Sequence, residues 1–176
     1  ADGLPVYYTE WNGCATFGAP GNDTRKVAAY DVRAALSAED FIEGSSIWCF
    51  SDIFEEIHPF PEEFHGGYGL VTQHGIAKPL FHALRLLGQA GDKRLELPGA
   101  LDGEVSVAAF RDAADTQLTV LATKQNLHHF AGQSTPATPV EIEVELDAKP
   151  QSVQLCRIDE EHGNPLKCWQ AMGEPE

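Results

Sequence analysis

Two short runs in this sequence end on acids flanked by aromatic rings. The first is Val6-Tyr7-Tyr8-Thr9-Glu10-Trp11-Asn12; the second is Trp48-Cys49-Phe50-Ser51-Asp52-Ile53-Phe54-Glu55-Glu56. Carboxylates accept hydrogen bonds from sugar hydroxyls, and aromatic faces stack on the apolar face of a sugar ring. Glycoside hydrolysis also requires two carboxyl groups, one to donate a proton and one to act as nucleophile or base. The plainer reading makes Glu10 an ordinary exposed acid, Glu55-Glu56 a solvated pair and Trp48 a core residue. Residue types and spacing alone leave the two readings evenly matched.

Both runs sit where a strand gives way to a loop. Val6–Glu10 is rich in β-formers and is followed at once by Gly13, Gly18, Pro20 and Gly21. Asn22-Asp23-Thr24 offers a side-chain cap for a helix, in which Val27, Tyr30, Ala34 and Ala35 recur at helical spacing, as do Ala28, Val32 and Leu36. Gly44 introduces Ser45–Phe50, a mostly apolar run that predicts a strand buried on both faces. Strand, helix, strand at this spacing is a βαβ unit with parallel strands. In barrels of such units the catalytic groups gather at the C-terminal strand ends. The loop from Ser51 to about Gly75 is too long to be a mere connection. Pro79 then opens a helix with Leu80, Ala83, Leu84 and Leu87 as its buried stripe, ended by Gly88 or Gly91.

The pattern turns to antiparallel β near Lys93. Val105–Phe110 and Leu118–Thr123 flank a polar turn around Asp115, which predicts a hairpin. Val140, Ile142, Val144 and Leu146 alternate with Glu141, Glu143 and Glu145, predicting a half-buried strand, and Val153–Ile158 predicts another. Two domains are therefore expected, residues 1–91 of α/β type and residues 92–176 of antiparallel β type.

With 176 residues the chain can hold one good core or two small ones. A net charge of -15 argues against nucleic acid and against an anionic membrane surface, because such binding rests on Lys and Arg. No apolar run approaches the ~20 residues of a membrane span. Ala1–Pro5 has neither the basic start nor the apolar core of a signal peptide. Cys14, Cys49, Cys156 and Cys168 lie far apart, as scattered reduced thiols do, so a cytoplasmic setting is expected over a secreted one. His58, His65, His74 and His82 match no metal-ligand spacing, and no cofactor is expected. Gly66-Gly67-Tyr68-Gly69 does not open a helix after a strand, as a dinucleotide site requires.

Taken in order, Tyr8–Asn12, Trp48–Glu56 and Phe64–Leu70 resemble the C-terminal part of glycoside hydrolase family 39 β-xylosidases. That family carries T-E-[YW]-N, then [YW]-x-F-S-D-x-F-E-E, then F-H-G-G-[FY]-G-L. Asn22-Asp23-Thr24 resembles the family's H-D-T helix start, with Asn22 in place of the His, and Arg157–Asn164 resembles a segment of its accessory β domain. The iduronidases of the same family resemble these motifs less.

The resemblance implies α/β plus all-β architecture: the last two units of a (β/α)8 TIM barrel, then an incomplete antiparallel β-sandwich. It implies a retaining mechanism on xylosides and xylo-oligosaccharides, with Glu10 as nucleophile at the end of barrel strand 7. Trp48 and Glu56 would line the glycone subsite; Glu55, Asn12 and Phe54 are further substrate-binding candidates, and Asp52 and His65 are adjacent matches. The family's acid/base, the Glu of an Asn-Glu-Pro motif on barrel strand 4, has no counterpart, since the one Glu-Pro here is Glu174-Pro175. A whole barrel takes ~250 residues. The chain is thus expected to be part of a longer enzyme, inactive alone, with open strand edges and apolar surface that favour self-association. The rival is a non-catalytic carbohydrate-binding or structural β module, a role that would suit the half from about residue 92 onward.

Overall fold

A computed structural model describes residues 3–54, 62–101, 103–125 and 139–175. Strands β1 (Tyr7–Trp11) and β2 (Gly44–Ile47) pair in parallel, joined through a 3-10 turn (Pro20–Asp23) and helix α1 (Arg25–Ala38). Within the expected capping stretch it is Thr24 that caps α1, accepting from the Lys26 N–H out of an extended backbone conformation. Helix α2 (Pro79–Gly88) begins on Pro79, whose missing N–H would have had no helical partner anyway.

Strands β3 (Lys93–Leu95), β4 (Val105–Arg111) and β5 (Leu118–Lys124) form an antiparallel sheet in that order. The β4–β5 hairpin is the predicted one, and Asp115 adopts φ 58° within its turn. Asp112 fixes that turn by accepting from the N–H groups of Thr116 and Gln117. Helix α3 (Pro165–Ala171) is capped by Asn164, which accepts from the Lys167 N–H.

One apolar seam holds these parts together. Val27, Ala28, Val32 and Leu36 of α1 meet Leu80 and Ala83 of α2, and Ala90, Ala108 and Phe110 close the cluster. Burying each of the larger side chains stabilises by about 1.5–3 kcal/mol. Polar ties cross the same seam: Arg33 donates to Leu101 O at 2.6 Å and to Gly103 O at 2.8 Å, and Arg94 donates to Leu36 O at 2.8 Å.

Two expectations are corrected. The strand Ser45–Phe50 is shorter than predicted and is not buried on both faces. Ile47 packs against the helix layer, while Trp48 is 38% and Phe50 70% exposed. An apolar run presupposes two covers, and only the α1/α2 layer is present among the described residues. Residues 140–146 and 153–158 form no ladder, and Val140, Ile142, Val144 and Leu146 remain exposed. Alternation marks a strand-like surface but names no neighbour, and a strand needs one. Among the described residues the antiparallel sheet is β3–β4–β5 alone. Apolar side chains are exposed at Tyr7, Tyr8, Phe41, Phe50 and Ile53.

Candidate active site

Glu10 lies at an irregularity in β1. Tyr7 faces Gly44 and Tyr8 faces Ser45, but Trp11 faces Ile47, so β1 uses three steps where β2 uses two. An extra residue of this kind re-aims side chains, and such bulges gather beside active sites. Glu10 is solvent-exposed there. Beyond it the strand ends stay joined: Trp48 N–H donates to Trp11 O at 2.8 Å, and Asn12 Nδ2 donates to Trp48 O at 2.5 Å. Asn12 Oδ1 in turn accepts from the Cys14 N–H at 3.1 Å. The side-chain amide of Asn12 therefore bridges the two strand ends.

Trp48 leads into an aromatic cluster. Phe54 meets its ring edge-on at 5.9 Å and stacks on Phe17 at 6.1 Å. Tyr68 meets Phe17 at 5.1 Å and Phe54 at 6.3 Å, both edge-on, and His65 leans on Phe17 at 5.7 Å. Each aromatic pair contributes about 0.5–1.5 kcal/mol beyond its buried area. The Tyr68 hydroxyl donates to Ala15 O at 2.7 Å, tying the cluster to the loop after β1.

Beneath the cluster is a buried ionic triad. Lys78 Nζ lies 2.6 Å from Asp23 Oδ1 and 2.6 Å from Asp52 Oδ2, and donates to Gly67 O at 3.2 Å. All three side chains are at most 3% exposed. Asp23 Oδ2 accepts from Gly66 N–H at 2.6 Å, Asp52 Oδ1 accepts from Gly69 N–H at 2.8 Å, and Asn22 Nδ2 donates to Gly66 O at 2.9 Å. Burial pushes the Asp23 carboxyl above its ordinary pKa, against the pull of the Lys78 ammonium. The glycines of this loop are explained by close approach: a Cβ on Gly67 would stand 2.3 Å from Asp52 Oδ1, and one on Gly69 would stand 2.3 Å from Asp52 N.

Two further acids flank the site. Glu63 is buried and accepts from Thr72 Oγ1 and from His74. Burial raises its pKa, but those hydrogen bonds outweigh it and hold the carboxyl below its ordinary value. Asp31 is fully buried on α1, and neither of its carboxyl oxygens has a hydrogen-bond partner among the described residues. A Cβ on Gly13 would come within 2.5 Å of Asp31 Oδ1, so this acid presses on the loop just after β1. Burial pushes its pKa up to about 7.

Of the sequence-predicted residues, Glu10, Asn12, Trp48 and Phe54 come together at one end of the β1–β2 sheet, and Glu55 and Glu56 lie outside the described residues. Lys78 escaped sequence reasoning, because a Lys before a helix-opening Pro carries no pattern of its own. Asp23 was visible as a cap candidate beside Thr24 and as part of the H-D-T-like stretch, with nothing to link it to Lys78.

A family model described as "Glycosyl hydrolases family 39" matches residues 1–176. The chain belongs to glycosyl hydrolase family 39. Among curated proteins, it is 32% identical to a β-xylosidase of Caldicellulosiruptor saccharolyticus, over 98% of this chain and 35% of that protein. It is likewise 32% identical to a β-xylosidase of Geobacillus stearothermophilus, over 98% of this chain and 32% of that protein. The chain thus spans about a third of the length of these relatives. A monomeric β-xylosidase structure from Caulobacter crescentus CB15 aligns with 98% of this chain and 36% of its own, at TM-score 0.72 and 26% identity. A family 39 enzyme of Xanthomonas axonopodis pv. citri aligns with 63% of this chain and 21% of its own, at TM-score 0.55 and 32% identity. These neighbours place the chain in a partial TIM-barrel and β-domain architecture.

Proposed function

We propose that this chain is the nucleophile-bearing part of a retaining β-xylosidase that releases xylose from the non-reducing end of xylo-oligosaccharides. The observation that carries this reading is Glu10, an exposed carboxylate at a one-residue bulge next to Trp11, whose carbonyl accepts from Trp48 N–H, in a chain matched throughout by the family 39 model. The names of the curated relatives, both β-xylosidases, support a xyloside as the substrate.

In the first step a carboxylate oxygen of Glu10 bonds to the anomeric carbon as the glycosidic C–O bond breaks. The leaving oxygen takes its proton from an acid supplied by the rest of the enzyme, whose carboxyl group would stand ~5–5.5 Å from that of Glu10. Water, deprotonated by that same group, then attacks the glycosyl-enzyme and frees Glu10. Trp48 offers its ring to the xylose, Phe54 braces that ring, and Glu56 and Glu55 accept from sugar hydroxyls. Asn12 serves the subsite chiefly by holding the Trp48 carbonyl.

In this reading residues 1–91 are the C-terminal portion of the catalytic barrel, and residues 92–176 belong to an accessory β-sandwich. The exposed rings of Tyr7, Tyr8 and Phe50 drive self-association of the isolated chain. No Asn-Glu-Pro is present in the sequence, so the chain alone does not turn over substrate. The test compares the 176-residue chain with the complete reading frame on a nitrophenyl xyloside. The complete protein is expected to release nitrophenol steadily and the chain none; steady release by the chain would overturn the division of labour.

A further inference from the structure

The buried triad sits where three chain segments meet. Asp23 comes from the turn before α1, Asp52 from the segment after β2, and Lys78 from the residue that precedes α2. Each reaches the same four-residue loop. Gly66 N–H goes to Asp23, Gly67 O accepts from Lys78, and Gly69 N–H goes to Asp52. Tyr68 lies between these anchors, and its own carbonyl accepts from Cys49 N–H at 3.2 Å. Cys49 follows Trp48 directly in the chain. From Tyr68 ring contacts lead to Phe54 and from Phe54 to Trp48.

Three buried charges at one point are costly to assemble, and stability alone is a poor reason to keep them. A buried ion cluster often gives way to apolar side chains at no loss, whereas removing one member leaves an uncompensated charge. What the triad does supply is direction: two carboxylates and one ammonium fix two N–H groups and one carbonyl of a loop that has no regular structure. The loop can approach this closely only because Gly67 and Gly69 lack side chains.

We propose that Lys78, Asp23 and Asp52 are positioning residues, which set the place of Tyr68 and, through Phe54, the angle and position of the Trp48 ring. Asp52, although it belongs to the acidic run after β2, is engaged in this clamp and does not touch sugar. The clamp itself is independent of the reaction assigned above; only its effect on substrate binding rests on that reading.

The test reads amide hydrogen exchange in the full 176-residue chain. Lys78→Met leaves two carboxyls facing each other without a cation. Exchange at Gly66 and Gly69 is expected to quicken at least about tenfold, while the amides of the β4–β5 ladder stay as they were. The triple variant Asp23→Asn, Asp52→Asn, Lys78→Met restores a neutral triad of similar shape and is expected to recover most of the protection. Exchange unchanged at both glycines, or raised equally in β4–β5, would overturn the clamp. Should Lys78→Met fail to fold, Asp52→Asn alone gives the reading: Gly69 quickens and Gly66 does not, and equal behaviour of the two overturns the proposal.

In the complete enzyme Lys78→Met is expected to lower kcat/KM for an aryl xyloside about 10- to 100-fold, mostly through KM, with recovery in the triple variant. Loss of protection at Gly66 and Gly69 with unaltered KM would refute the link to Trp48 while leaving the clamp. An enzyme that never cleaves xylosides would instead refute the function assigned above, and the exchange pattern would still stand.

Discussion

The acid at the end of β1 stands in the open, whereas the first acid after β2 is buried against Lys78. Glu10 is exposed at a bulge, and Asp52 has each oxygen engaged, one by the Lys78 ammonium and one by Gly69 N–H. Glu10 lies near the end of one parallel strand and Asp52 beyond the end of the other, and both have aromatic neighbours in the chain. The difference fits the roles proposed for them: a carboxylate that attacks needs its oxygens available, whereas one that holds a loop has them occupied. Asp31 is a third case: it is buried like Asp52, yet no hydrogen bond reaches it among the described residues.

The comparison breaks most visibly at Glu10. In the complete enzyme Glu10→Gly is expected to lower kcat by about 10^4-fold or more, as losing an essential nucleophile does, with partial rescue by azide. Substituting Asp52 should not mimic this: Asp52→Asn is expected to act on KM while leaving kcat within about tenfold. An Asp52 variant as inactive as the Glu10 variant would erase the distinction drawn here.

Asp31 sharpens the contrast through pH. Its folded pKa is raised above the ordinary 3.8 to about 7, so between those values the folded chain holds a proton that the unfolded chain has released. Below about pH 4 both states are protonated and the group contributes no difference. As pH rises toward 7 stability is lost, by on the order of 4 kcal/mol in all, and above 7 the loss is constant. Asp31→Asn removes this slope. Denaturation in urea at pH 4 and pH 7 should show the variant gaining on the parent chain at pH 7; equal gaps at both would contradict it.

Smaller effects are expected where the strand ends meet. Trp48→Ala in the complete enzyme should raise KM about 10- to 100-fold, equivalent to roughly 1.4–2.8 kcal/mol of binding. Asn12→Ala removes the hydrogen bond to Trp48 O and should destabilise by about 1 kcal/mol, measurable as a shift in the urea midpoint of the chain.

How much of this was legible in the sequence depends on the range of the interactions involved. The βαβ unit, α2 and the β4–β5 hairpin follow from local spacing, caps and turns and are present, although β2 ends at Ile47, short of the predicted Phe50. Residues 140–146 have the alternation of a strand, yet alternation leaves the partner unspecified and no ladder forms. The placing of Glu10 and Trp48 at one sheet end follows from parallel pairing, which the βαβ spacing implies. The triad was not legible: Asp23 and Asp52 stand in motifs of the family, but nothing in the sequence joins them to each other or to Lys78. Close packing in three dimensions gives the Gly66–Gly69 loop its meaning, and a sequence pattern alone invites a phosphate-binding reading of the same residues.

If Glu10 forms the covalent bond to sugar, as proposed, that bond can be trapped. A 2-deoxy-2-fluoroxyloside with a good leaving group should acylal-link to the complete enzyme and persist, because fluorine slows release of the intermediate. Peptide mass spectrometry is predicted to find one fluoroxylosyl group, on Glu10. A label on Glu55, Glu56 or an acid outside residues 1–176, with Glu10 unmodified, would contradict the account.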